Sequence, residues 1–410
     1  MELNLMLATA LALTSSADAN REAIQKAIDE ASVCGGGIVT IPAGEWPTGS
    51  IELKSNVELH LENGATLKGS LDRRDYNDDA VFPENIWSVA EEWSGAHLVY
   101  SYQAENIAIT GEGVIDGNGS AFFGECDEDS HFPWYKYGLK LHPVDRVWFR
   151  PGVMVAFFLS KNIRLDGIKL VNTPAWTCHV RCCDGFTAKG VTINADRTIA
   201  NSDGFSVDCT RNVRIEKCVI KTGDDAIAIR ASCKFHAVEN KCENIRVRDC
   251  DVWSCCYGIR FGIGTGTVRD VEVTDSRFYE SSRGVGFTPA WVAAEKNVYI
   301  EDIRIRRCFF GDTVYAAETC MPDADARLNN VFFEDCRFES MYPSLINGTP
   351  TAKAENVRFV RCKRMFIDRM KVRNNRDWVS RAINGMRQVA CEMVVTNQYT
   401  ANVVVVADGL

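Results

Sequence analysis

Three aspartates carry side chains that could work together: Asp203, within Asn201-Ser202-Asp203-Gly204, and Asp224 and Asp225, within Thr222-Gly223-Asp224-Asp225-Ala226-Ile227-Ala228-Ile229. Crowded carboxyl groups cannot all ionise at their ordinary pKa values; one stays protonated near neutral pH and can donate, while the others accept. Hydrolysis of a glycosidic bond needs this division, with one carboxylic acid protonating the leaving oxygen and another carboxylate activating water. The same residues also suit plain turns, an Asx turn at Asn201 to Gly204 and a turn at Gly223 to Asp225. Spacing alone leaves both readings open.

A stacked repeat would bring the acids together. Asp203 and Asp224 are 21 residues apart, and the chain around them repeats one short pattern. It runs through Ile107-Ala-Ile109, Ile163-Arg-Leu165, Phe186-Thr-Ala188, Val213-Arg-Ile215, Ile245-Arg-Val247, Val271-Glu-Val273, Ile303-Arg-Ile305, Val331-Phe-Phe333 and Val357-Arg-Phe359, from Ile163 onward at intervals from about 23 to 32 residues. Each unit alternates apolar and polar residues with period two and contains no helical pattern. The expectation is an all-β fold, a right-handed parallel β-helix with one parallel strand per coil, in which Asp203 and Asp224 occupy neighbouring rungs about 4.8 Å apart.

The remaining segments fit one domain over residues 1–410, with helical coils over 38–365. Asn20 as N-cap and the stripe Ile24, Ala27, Ile28 predict a helix that ends before Gly35-Gly36-Gly37, a cap over residues 20–34 that covers the open first coil. Ile38 to Ile41 and Val57 to Leu61 read as the first strands. Residues 366–410 read as a C-terminal cap or tail, with a helix at Trp378 to Met386 and a strand at Val403 to Val406. Residues 72–95 and 124–150 interrupt the repeat and carry Trp87, Trp93, Trp134, Tyr135, Tyr137 and Trp148. Long aromatic loops either wall a sugar-binding cleft, favouring exo-action on short chains, or pack onto the barrel.

Seventeen cysteines are too many to ignore. Cys218, Cys250, Cys308, Cys336 and Cys362 share one position of the repeat, where other coils have Ile168, Val191 and Ser276, so they read as small apolar core residues. No Cys-x-x-Cys knuckle supports zinc, and no metal or cofactor is expected. Free thiols fit a reducing, cytoplasmic setting. Leu5 to Leu13 followed by small residues resembles a signal peptide, although Glu2 and the absence of Lys or Arg before it do not; a secreted or periplasmic location follows if residues 1–19 are a leader. The net charge of −9 argues against a nucleic-acid or anionic-membrane partner, and no run spans a bilayer.

Gly35-Gly-Gly-Ile-Val-Thr-Ile-Pro-Ala-Gly44, Leu53 to Leu67, Arg150-Pro151, Asn201-Ser-Asp203 and Gly223-Asp224-Asp225, in that order, resemble glycoside hydrolase family 28, the polygalacturonases and their relatives. The resemblance covers residues 20–365. It implies the same β-helix, inverting hydrolysis of pectin without metal, Asp224 as general acid, Asp203 and Asp225 as the pair that activates water, and Asn201 beside them at the substrate. Two motifs depart from the family: Tyr257 stands where its Gly-His-Gly has His, and Gly286-Phe287-Thr288 replaces the Arg-Ile-Lys that grips a uronate carboxylate. Either Arg230, Arg260 and Arg283 replace that grip, with Tyr257 lining the substrate, or the sugar at the cleavage site is not galacturonic acid.

The expected activity is therefore hydrolysis of a pectin-related oligo- or polysaccharide, galacturonan- or rhamnogalacturonan-like. Two alternatives keep the fold: a Ca²⁺-dependent polysaccharide lyase with the aspartates as ligands and Arg260 or Arg283 as base, and a carbohydrate-binding β-helix without activity. The oligomeric state is not legible.

Overall fold

Each repeated segment is a strand whose branched or aromatic residues face inward. In Arg211–Glu216 the residues Val213 and Ile215 are buried, and in Lys353–Val360 so are Val357 and Phe359, while the intervening charged residues face out. The computed structural model describes residues 11–86, 88, 94–123, 149–199, 201–232, 239–288, 298–319, 325–367, 389–391, 395–398, 400–401 and 403–406. The chain forms two compact units, Met1–Ser202 and Asp203–Leu410. Both are stacks of right-handed parallel β-helix coils.

In the first unit one sheet runs Gly37–Ile41, Val57–Leu61, Glu105–Gly111, Lys161–Asp166, Asp184–Lys189, every pair parallel. A coil holds up to three strands instead of the one expected: Lys161–Asp166 is followed by Lys169–Val171 and Cys178–Arg181, each paired with its counterpart in the preceding coil. The extra strands are short, and Cys178–Arg181 is buried throughout, so neither shows the longer alternation that made the first strand visible.

The N-terminal helix spans Ala17–Val33 and buries Ile24 and Ile28. It starts earlier than the sequence suggested because Ser16, not Asn20, is the N-cap, its Oγ accepting from Ala19 N at 3.3 Å. Asn20 is buried, and its Nδ2 donates to the carbonyls of Thr14 and Pro47, both at 2.8 Å. Gln25 completes the cap: its amide donates to Glu52 O at 3.0 Å and accepts from Glu52 N at 2.8 Å, satisfying an edge-strand peptide as another strand would.

The second unit repeats the scheme through Arg211–Glu216, Lys241–Arg248, Thr267–Thr274, Tyr299–Arg306, Arg327–Glu334 and Lys353–Val360. The repeat becomes exact register, Val213↔Ile245↔Val271↔Ile303↔Val331↔Val357. Like side chains therefore stack: Phe278, Phe310 and Phe338 lie face to face at 4.9 and 5.3 Å. Cys218, Cys250, Cys308 and Cys336 are buried and free, and Cys362 is half-buried at the end of the row. Cys250 and Cys308 turn their thiols toward carbonyls of Ile215 and Val273 at 3.6 Å.

Within these strands Asn212, Asn244, Asp270, Asp302, Asn330 and Asn356 adopt φ between 50° and 61°, a left-handed conformation that Asn and Asp tolerate best. Val404–Val406 adds to Lys353–Val360 as the expected terminal strand. The expected helix at 378–386 and the aromatic residues Trp87, Trp93, Trp134, Tyr135, Tyr137 and Trp148 lie outside the described residues, as do residues 1–10 of the leader-like stretch. Among the described residues no helix is long and apolar enough to cross a membrane.

Candidate active site

The candidate site rests on one sheet of the second unit: Phe205–Asp208, Ile227–Ala231, Tyr257–Gly264, Arg283–Thr288 and Phe309–Thr319, all parallel. Phe205, Val207, Ile227, Ile229, Ile259, Phe261, Val285 and Phe287 fill the core, so the alternate positions face the other way. Arg230, Arg260 and Gly286 occupy such positions.

The turns entering the first two strands hold the acids. Phe205 pairs with Ile227, an offset of 22, so the register neighbour of Asp203 is Asp225, and Asp224 stands one residue aside. Gly204 N donates to Asp225 O at 2.8 Å, binding the two turns together. A Cβ at Gly204 would lie 2.3 Å from the Ala226 carbonyl oxygen, so the approach requires glycine. The Asp224 carbonyl accepts from Thr222 Oγ1 at 2.7 Å and from Ser254 Oγ at 2.6 Å, which fixes the peptide that carries its side chain.

Burial divides the three. Asp203 and Asp225 are 4% and 1% exposed, whereas Asp224 is half-buried. Asp203 is pushed well above the usual carboxylate range, first by burial and then by the charges of Asp224 and Asp225; Arg260 and Arg230 oppose the rise. Its Oδ1 is buried with no hydrogen-bond partner among the described residues. Asp225 is compensated: Arg260 Nη2 meets its Oδ2 at 2.8 Å and Tyr257 N donates to its Oδ1 at 3.3 Å. Burial works against the charge of Arg260, but Asp225 and Asp203 more than restore it, and its pKa is raised.

A raised carboxyl pKa makes folding proton-linked. The folded protein holds the Asp203 proton at pH values where the unfolded chain, with an aspartate near pKa 3.9, has lost it, so stability falls as pH rises through that interval. Asp203→Asn is expected to raise stability at pH 8 by on the order of 1 kcal/mol, with the gain vanishing below about pH 4. Thermal melts of both proteins across that range check it; an equal difference at every pH would remove the linkage.

The other expected residues fall as follows. Arg230 stands in register with Asp208 and is nearly buried. Tyr257 is in register with Arg283, and its ring lies between the guanidiniums of Arg260 and Arg283, at 5.7 and 5.5 Å. Burial pushes its hydroxyl up to about 12. Arg283 Nε in turn bonds Glu318 Oε2. Asn201 belongs to the first unit, where it is half-buried with φ 58°.

Glu318 escaped the sequence reading, and so did the role of Gly286. Glu318 is in register with Gly286, and Gly286 with Arg260, so the carboxylate arrives two coils after the arginine. Gly286 makes room for a ring: a Cβ there would lie 2.2 Å from two carbons of Tyr257. Glycine at 286 and tyrosine at 257 are therefore a matched pair.

Asp224, Asp225 and Cys256 bring one ligand atom each within 4.8 Å of one another. The set suits Ca²⁺ poorly, since that ion takes six to eight oxygen ligands, and here one donor is a thiol and one Asp225 oxygen is already bound to Arg260.

Known proteins resemble this chain in sequence and in fold. A probable polygalacturonase of Vitis vinifera is 26% identical over 301 residues, covering 70% of this chain and 56% of its own length. This chain thus spans little more than half of that relative. An endo-polygalacturonase of Pectobacterium parmentieri is 25% identical over 343 residues, 80% of each chain. The crystal structure of a hyperthermoactive exopolygalacturonase from Thermotoga maritima superposes with a TM-score of 0.66 at 23% identity, over 86% of this chain and 87% of that one. The family model for glycosyl hydrolases family 28 matches residues 37–298, more than half of the chain. The chain belongs to glycosyl hydrolases family 28.

Proposed function

We propose that this protein is a pectin-degrading glycoside hydrolase that cleaves by inversion, with Asp224 as general acid and Asp203 and Asp225 positioning and activating water. One observation carries the reading: a half-exposed carboxyl stands beside two buried ones held in register on adjoining coils. The half-buried group can reach a glycosidic oxygen, and of the buried pair Asp225 is held in place by Arg260 and by Tyr257 N. Membership of the family and the similar polygalacturonases support the reaction class.

A lyase would need a base with a free lone pair. Arg260 is ion-paired to Asp225 and Arg283 to Glu318, and the pKa of each is raised, so neither is suited to take a proton. The deciding experiment follows reducing-end release and absorbance of unsaturated product on a panel of pectic oligosaccharides, with the anomeric form of the first product read by NMR. Reducing ends without ultraviolet absorbance, with inverted configuration, are expected. Unsaturated product, or retained configuration, would overturn the mechanism.

A further inference from the structure

The coils that follow the acids are where a uronate clamp is expected, and their charges are already matched. Arg260 is paired with Asp225 at 2.8 Å and Arg283 with Glu318. The row Arg260↔Gly286↔Glu318 then has glycine in the middle and a carboxylate beyond it. The gap at Gly286 is filled by the Tyr257 ring, not left for a ligand. Two residues on, Thr288 is buried and its Oγ1 has no partner among the described residues, a neutral hydroxyl where a lysine would stand.

A carboxylate brought to this floor finds the charge of each guanidinium already balanced by a protein carboxylate and meets Glu318, whose charge repels it. A ligand displacing Glu318 would strand that carboxylate, which is only 16% exposed. A neutral sugar brings hydroxyls that donate to Glu318 and to Thr288 Oγ1 without repulsion. Rejection of the wrong ligand by a built-in like charge is an effective source of specificity.

We infer that the glycosyl unit seated over Arg260, Gly286, Arg283 and Glu318 is an uncharged sugar, and that Glu318 is the residue that excludes a uronate there. The inference rests on the proposed hydrolase site and names the substrate class that site takes.

Oligogalacturonides and the same oligomers with part of their carboxyl groups reduced to primary alcohols differ in charge but not in linkage. The expected result is a kcat/KM at least about tenfold higher on the partly reduced oligomers, the size of one charged hydrogen bond gained or lost. Glu318→Gln, which frees Arg283, is expected to raise kcat/KM on the fully charged oligomers by a similar factor, and Glu318→Ala serves should Gln be tolerated poorly. Faster cleavage of the fully charged oligomers by the parent protein, or no gain in either variant, overturns the inference. If neither oligomer is cleaved, the hydrolase reading itself fails. Calorimetric binding of the same oligomers to Asp224→Asn then decides this one: tighter binding of the charged oligomer, or binding of neither, overturns it.

Discussion

Asp224→Asn is expected to lower kcat by about 10²–10⁴-fold while leaving the fold and its melting temperature nearly unchanged. The side chain is half-buried, so exchanging it for an amide of the same shape changes stability little. Its peptide is held from below by Thr222 Oγ1 and Ser254 Oγ, contacts to the carbonyl that the substitution keeps. What is lost is the proton delivered to the leaving oxygen. Initial rates of reducing-end release, beside circular dichroism melts, check both halves. A rate within threefold of the parent would show that another group supplies the proton. Asp203, whose carboxyl pKa burial raises well above the usual range, would be the next to test.

How much of this was legible depended on whether a feature repeats. The strands at Val213, Ile245, Val271, Ile303, Val331 and Val357 recur with the same apolar pair, and each falls into register with the next. Cys218, Cys250, Cys308 and Cys336 were legible for the same reason, since a position shared by successive coils must look into the same core. The partner of Asp203 was not. A spacing of 21 points to Asp224, but the hydrogen-bonded register has an offset of 22 and selects Asp225, because a one-residue slip moves a side chain to the other face.

Glu318 stands opposite Gly286 at the same offset of 32 that pairs Val271 with Ile303 and Phe278 with Phe310, so the repeat places it. What hid it was that a single glutamate carries no pattern that sets it apart from the outward-facing acids of other strands. The glycine at 286 looked like a missing clamp, and only the Tyr257 ring in the vacated space shows what it is for. The start of the N-terminal helix was misplaced for a different reason. Asn20 is as good an N-cap by type as Ser16, and only the burial of Asn20 against Pro47 decides between them.

The largest expected loss of stability in the second unit comes from Arg260→Met. The side chains of Arg260 and Asp225 are 9% and 1% exposed, so solvent does little to screen them. Removing the guanidinium strands a buried carboxylate, at a cost of about 3–5 kcal/mol near neutral pH. The cost disappears once that carboxyl takes a proton, so the deficit shrinks as pH falls, opposite to the usual acid destabilisation. Arg260 also holds down the raised pKa of Asp203. Its loss lets that pKa climb further, and if Asp203 must be ionised to activate water, the acid limb of the pH–rate profile moves to higher pH. Arg260→Lys keeps the charge but not the planar fork, and is expected to restore most of the stability and less of the rate. The decisive comparison is a double-mutant cycle with Asp225→Asn. With a neutral amide at 225, Arg260→Met leaves no uncompensated charge there, and its cost should fall by at least half. Additive losses would mean that the ion pair is incidental and that Arg260 serves the site through Tyr257, whose ring it covers at 5.7 Å.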